Sequence, residues 1–242
     1  MVTAGVLGYD SQGYEFRRTA SYQVSKTRDI KGALNGSRFI EQPHIKAEVN
    51  GFLQFIEGPG PVLLEIGFDH GRRLHSLGLN NPHWRIAGIE VRKMRVLEAR
   101  ERAAKEGIKN IHPWRMDARS VFANVLKPKS VDVVDIYFPT PWWHPGLRQK
   151  RLLIEPAFLA DVARALRPNG RLRVATDVAP YAHRIETDLR SSSLVPMAPC
   201  ESAEPTCTQL SRREWKCHRE GVFVHRWLYT LDAASCATGP PD

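Results

Sequence analysis

Val62-Leu63-Leu64-Glu65-Ile66-Gly67-Phe68-Asp69-His70-Gly71 is the stretch whose reading decides the fold of this chain. An apolar strand runs into an acidic residue, a glycine, a polar turn and a second glycine, and a basic amphipathic segment follows from Arg72. Farther on, Ile86-Ala87-Gly88-Ile89-Glu90-Val91 gives a second buried strand with a carboxylate at its carboxyl end. Glycine lets the backbone approach a ligand, and an acid about 20 residues later accepts ribose hydroxyls. The spacing of Gly67 and Gly71 differs from the G-x-G-x-x-G of dinucleotide sites, so no pyrophosphate cradle is written here. A nucleoside cofactor without phosphates, S-adenosylmethionine, fits better.

Working outward, strand and helix signals alternate. A helix is expected over 45–55, before the breaker Gly58-Pro59-Gly60-Pro61. Strands are expected at 62–67, 85–91, 111–116, 131–138 and 171–176. Helices are expected at 71–79, 93–106, 118–126, about 155–166 and 179–190. Strands near 194–198 and 222–231 close the sheet. Near-continuous apolar strands alternating with helices imply a parallel sheet covered on both faces. Ligands bind beyond the carboxyl ends of such strands. Those ends carry Glu65 to Gly67, Glu90, Asp117, Pro139 to Trp142, and Asp177. Residues 1–45 show weak periodicity and read as a loosely ordered arm, 46–232 as the catalytic domain and 233–242 as a frayed tail.

The chain has 242 residues, enough for one sizeable core. No apolar run approaches the roughly 20 residues of a membrane span, and the amino terminus lacks the apolar segment of a secretory signal. The four cysteines, Cys200, Cys207, Cys217 and Cys236, include no C-x-x-C pair. They read as reduced thiols of a cytoplasmic protein, with no metal expected. A net charge of +9 suits a polyanion such as RNA, although the basic residues are spread along the chain.

Several motifs occur in order: Leu64-Glu65-Ile66-Gly67, Gly88-Ile89-Glu90, Asp117-Ala118, Phe138-Pro139-Thr140-Pro141-Trp142, Lys150-Arg151 and Ala175-Thr176-Asp177. Together they resemble the bacterial tRNA (guanine-N7)-methyltransferases, over roughly residues 50 to 231. The resemblance implies an α/β class I methyltransferase fold. That fold is a Rossmann-like, seven-stranded, mostly parallel sheet with one reversed strand and helices on both faces. It implies that Glu65 and Gly67 line an S-adenosylmethionine site, that Glu90 holds the ribose hydroxyls, and that Asp117 faces the adenine. For Glu65 the competing reading is an exposed strand-end charge; for Glu90 and Asp117 it is a helix N-cap.

The family loop reads Phe-Pro-Asp-Pro-Trp, and here Thr140 replaces the aspartate usually assigned to catalysis. Threonine forms hydrogen bonds but is no carboxylate base. His144 stands where the family places a substrate-binding lysine, and Thr140 and His144 are expected as auxiliary contacts to the reacting base. Trp142 and Trp143 offer a stacking platform for a heteroaromatic ring, or pack within the loop. Asp177 matches a substrate-binding aspartate, or caps the helix at 179. Ser211-Arg212-Arg213-Glu214 resembles the segment that binds the target guanine, or is a solvated charged face.

Purine N7 already presents an in-plane lone pair, so orienting the base in line with a sulfonium methyl supplies much of the catalysis. Asp177 and Glu214 are expected to do this. Three functions follow: N-methylation of tRNA, N-methylation of a small nitrogen heteroaromatic by a paralogue, or a non-catalytic RNA-binding or partner-activating role. A monomer or homodimer is expected.

Overall fold

The computed structural model describes residues 8–9, 15–16, 43–141, 152–197, 205 and 207–231. Residues 1–39 and 40–242 form two compact units. In the first, β1 (Gly8–Tyr9) pairs antiparallel with β2 (Glu15–Phe16). The rest of the expected arm and the tail lie outside the described residues.

The second unit opens with α1 (Pro43–Glu57), which starts before the expected 45 and outlasts 55. Then come β3 (Val62–Ile66), α2 (Arg72–Asn80), β4 (Arg85–Glu90), α3 (Lys93–Lys105), β5 (Ile111–Arg115) and α4 (Ala118–Asn124). The chain continues through β6 (Val131–Tyr137), α5 (Pro156–Ala165), β7 (Leu166–Thr176) and α6 (Ala179–Arg190). It closes with β8 (Leu194–Pro196), α7 (Arg212–Glu220) and β9 (His225–Leu231). The seven-stranded sheet has the order β5-β4-β3-β6-β7-β9-β8. β9 runs antiparallel to both neighbours and the remaining pairs are parallel, so one strand is reversed, as expected.

The two faces of the sheet follow from period-two alternation. Leu63, Ile86, Ile111 and Val133 meet α2 and α3 through Leu74, Leu77, Val96 and Ala99. On the opposite face Trp114 stacks on Phe52 of α1, with ring centroids 4.3 Å apart. The strand order turns outward from β3 and β6, which places a topological switch point between them.

Three local readings need correction. Residues 212–220 form a helix that the sequence reading left unassigned, because Arg-Arg-Glu-Trp-Lys-Cys-His-Arg-Glu has almost no apolar periodicity. Its ends were nonetheless marked: the Ser211 side chain accepts from the Glu214 N–H at 3.1 Å, and Gly221 closes the helix at φ 66°. β9 starts at His225, not 222. β7 starts at Leu166, which pairs with Val131, and pairing resumes after the Asn169-Gly170 turn at Arg171 opposite Val133.

Gly88 sits on β4 beneath the loop that follows β3. A Cβ there would lie 2.6 Å from Phe68 Cδ1 and 2.9 Å from Leu74 Cδ2. Gly88→Ala is therefore expected to destabilise the protein by about 1–3 kcal/mol through overpacking, read as a lower urea midpoint with an unchanged m-value.

Candidate active site

The loop after β3 is built for close backbone approach. Gly67 has φ 75°, and a Cβ there would have no atom within 4 Å, so space lies open beside it. Asp69 follows at φ 48°, a conformation that L side chains seldom adopt. Its N–H donates to Glu90 Oε2 at 3.2 Å, which ties the loop to the end of β4. Behind it, His75 bridges Gly71 O and Ala99 O, at 2.5 and 3.1 Å, and fixes α2 against α3.

Glu90 is buried, and Arg92 folds back on it: the Arg92 N–H and Nε reach Oε1 at 3.0 and 3.1 Å. Arg92 also reaches Asp69 Oδ1 at 2.8 Å. The Glu90 N-cap reading is overturned, since Arg92 holds the N-cap position of α3. Asp117 does cap α4, accepting from the Ser120 N–H at 3.2 Å through Oδ1.

Glu65 is 3% exposed, so it is no surface charge. It belongs to a buried row that the sequence reading missed. Glu65, Asp135 and Arg173 are register neighbours on β3, β6 and β7. Arg173 Nε and Nη2 donate to Asp135 at 2.6 and 2.8 Å. Arg73, from α2, lies 2.6 Å from Asp135 Oδ2 and 3.6 Å from Glu65 Oε1, with its guanidinium over the Tyr137 ring. Desolvation pushes the Tyr137 hydroxyl up to about 12, and two arginines hold Asp135 below its ordinary range despite its burial. The signal for this row was a charge inside each of three strands with the same facing parity, with Arg73 in the first turn of α2, two residues after Gly71.

Glu65 Oε2 is buried and has no hydrogen-bond partner. Desolvation, only partly offset by Arg73 and reinforced by Asp135, pushes this carboxyl up to about 7.

At the β6 end, Phe138 takes φ 51° while its N–H reaches Ala175 O at 2.7 Å. Thr140 is exposed just beyond it. Trp142, Trp143, His144 and Lys150-Arg151 lie outside the described residues. At the β7 end, Arg213 Nε donates to Asp177 Oδ2 at 2.9 Å, so Asp177 does not cap α6. Glu214 is buried and is bridged by Arg226, while Ser211 is the N-cap of α7. The structure therefore brings Asp177 and Glu214 to one edge through α7, and Arg212 of the same helix reaches His70 Nε2 at 3.0 Å. The helix spans from the loop after β3 to the end of β7.

The donor set suits a cationic nucleoside cofactor. Glu65 Oε2 is an unused buried acceptor, Gly67 leaves room for backbone approach, and acids stand at the ends of β4 and β5. Among the described residues no group of three His, Cys, Asp or Glu side chains can hold a metal ion.

Comparison with known proteins gives a consistent result. A family model described as "Putative methyltransferase" matches residues 59–227. The tRNA (guanine-N(7)-)-methyltransferase of Cronobacter sakazakii is 29% identical over 222 residues, covering 89% of this chain and 92% of that protein. That of Yersinia pseudotuberculosis is 31% identical over 182 residues, covering 74% and 76%. A SAM dependent methyltransferase from Aquifex aeolicus shares the fold, with a TM-score of 0.50 at 14% identity over 84% of this chain and 97% of that one.

The Glu65 carboxyl is protonated in the folded chain between about 4.5 and about 7, where the unfolded chain is ionised. The folded state binds more protons there, so this contribution is present below that window and lost as pH rises through it. Glu65→Gln is thus expected to match the wild type at pH 5 and to gain roughly 1–3 kcal/mol over it at pH 8, in urea unfolding without ligand. An equal difference at both pH values would refute the raised carboxyl.

Proposed function

Because this chain belongs to the tRNA (guanine-N(7)-)-methyltransferase family, we propose that it methylates N7 of a guanine in tRNA. It is an S-adenosylmethionine-dependent methyltransferase, and the observation that supports the acceptor reading is that α7, which carries Glu214, is tied to Asp177 at the carboxyl end of β7 through Arg213.

S-adenosylmethionine supplies an electrophilic methyl group. Glu65 and Gly67 would flank its amino-acid end, Glu90 would accept the ribose hydroxyls and Asp117 the adenine amino group. Glu90 must exchange Arg92 for those hydroxyls. Arg92 is half exposed, so its retreat costs little. A guanine presents N1–H and a 2-amino group on the edge opposite N7. Asp177 and Glu214 accept from that edge and turn N7 toward the methyl group, in line and about 3–3.5 Å away at reaction. N7 carries no proton, so the attack needs no base, and Thr140 in the aspartate position is compatible with turnover. Thr140 and His144 act as auxiliary contacts, Trp142 and Trp143 as ring contacts, and Ser211 orients Glu214 by capping α7.

Residues 46–232 form the catalytic domain in this reading, with 1–45 as an arm and 233–242 as a tail. The setting is the cytoplasm, where tRNA resides. Among the described residues no helix is long and apolar enough to cross a membrane.

Thr140 favours a second reading, a small nitrogen heteroaromatic as acceptor. Salt separates the two. Binding to tRNA falls steeply with ionic strength through counterion release, whereas a small acceptor is nearly indifferent.

With labelled S-adenosylmethionine and unmodified tRNA, digestion is expected to yield labelled 7-methylguanosine. Asp177→Ala and Glu214→Gln are each expected to lower kcat/KM about 10²-fold or more, with cofactor binding retained. Cofactor binding without label in any tRNA would move the acceptor to the small heteroaromatic class.

A further inference from the structure

The chain leading into α7 is gripped by a side chain of α2 that the methyl-transfer site does not use. Ser76 lies at the middle of α2 and is 3% exposed. Its Oγ accepts from the backbone N–H groups of Thr208 and Gln209 at 3.0 and 3.2 Å, and lies 3.1 Å from Thr208 Oγ1. Asn80, one turn on, donates to Ser76 O at 2.7 Å and lies 3.1 Å from both Ser76 Oγ and Thr208 Oγ1. The Ser76 oxygen thus stands among three N–H donors and has two lone pairs to offer them, so its own proton turns to Thr208 Oγ1. Cys207, just before, packs against the core cluster that includes Leu74 and Leu77 of α2.

This grip is on the main chain, close to the acceptor residues. Thr208 and Gln209 stand just before Ser211, the N-cap of α7, and Glu214 lies in the first turn of that helix. α7 buries only Glu214 and Cys217, so apolar packing does little to place it. Arg213 and Arg226 tie it to Asp177 and β9 through long side chains that are half in water. Such side chains can change rotamer without moving the backbone, whereas a strap held by its own N–H groups cannot shift without losing them.

The cofactor side is held from the neighbouring residue. His75 bridges Gly71 O and Ala99 O, and so fixes the end of the loop that starts at Gly67. Consecutive residues of one helix therefore hold the loop on the methyl-donor side and the strap on the acceptor side. Methyl transfer needs the two reactants in line at about 3–3.5 Å, and a misplacement of about 1 Å costs about 10²-fold. We propose that Ser76 is a positioning residue for methyl transfer: its hydroxyl fixes the strap 207–211 and so sets where α7 presents Glu214 to the acceptor base.

The proposal rests on the tRNA reading and deepens it, adding a residue that acts through Glu214. A Ser76 that served stability alone would lower the unfolding midpoint and leave turnover per folded molecule unchanged.

The test compares wild type, Ser76→Ala, Glu214→Gln and the double variant, each as the full chain, in steady-state methylation of unmodified tRNA, with cofactor affinity and stoichiometry from calorimetry. Ser76→Ala leaves two N–H groups without their acceptor. It is expected to bind S-adenosylmethionine as wild type does and to lower kcat about 10- to 100-fold. The KM for tRNA should stay within about twofold, because phosphate contacts supply most of that affinity. In the Glu214→Gln background the same change should lower kcat less than about threefold, since the group it places is already impaired. Hydrogen exchange should speed up at Thr208, at Gln209 and along α7, and not in β3 or β4. Thr208→Val, at an exposed position, removes only the strap hydroxyl and is expected to lower kcat about 2- to 10-fold; it replaces Ser76→Ala in the cycle if that variant does not fold. A wild-type kcat in Ser76→Ala, or an equal loss in both backgrounds, overturns the positioning role while the tRNA reading stands. A wild type that methylates no tRNA overturns that reading and the proposal with it.

Discussion

Everything at the carboxyl edge depends on one buried row of charge. Glu65, Asp135 and Arg173 lie side by side on β3, β6 and β7, and Arg73 descends on them from α2. Such groups are expensive to desolvate, and their mutual attraction repays this only when the geometry is complete. Asp135, with two guanidinium partners, is complete. Glu65 is not, because one oxygen lies 3.6 Å from Arg73 and the other is buried without a hydrogen-bond partner. The row therefore locks three strands across the switch point and leaves one acceptor unspent at the place where the chain turns toward Gly67. A cationic group arriving there would complete the pairing that the protein leaves open.

The same edge shows how backbone strain is tolerated where it positions chemistry. Asp69 and Phe138, both at positive φ, follow β3 and β6, the strands that flank the switch point. Each is held by a hydrogen bond to a neighbouring strand end, Asp69 to Glu90 and Phe138 to Ala175 O. Strain of order 1–3 kcal/mol per residue persists only when surrounding contacts over-determine it.

Much of this was legible in the sequence, for reasons that can be named. The sheet was readable because β3, β4 and β6 are apolar runs bounded by glycine or acid, and because acids recur at strand ends. α7 was unreadable from periodicity, since only Trp215 and Cys217 are apolar in it; its caps, Ser211 with Glu214 and then Gly221, were the signal. The charge row was hidden because register is a tertiary fact: Asp135 and Arg173 read as polar interruptions until β6 and β7 are aligned. The partners of the expected site acids were hidden likewise, since Arg213 reaches back to Asp177 and Arg226 reaches back to Glu214.

Those partners explain how a basic protein keeps an acidic site. Glu90, Asp177 and Glu214 have side chains only 4%, 6% and 10% exposed, while Arg92, Arg213 and Arg226 are 47%, 50% and 53% exposed. In each pair the acid is fixed and the arginine is half in water. For the arginine itself withdrawal costs little, because its guanidinium is already half in water. Leaving the buried carboxylate bare costs much more. The arginine can thus leave only when something else donates to the acid. A ligand with N–H groups at Asp177 and Glu214 would meet that condition, and one lacking a donor at either would strand a buried charge; Glu90 differs, because it keeps the backbone N–H groups of Asp69 and Arg92 when the Arg92 side chain leaves. Discrimination of this kind arises from the penalty for the wrong ligand more than from attraction for the right one, and it needs no movement of the sheet.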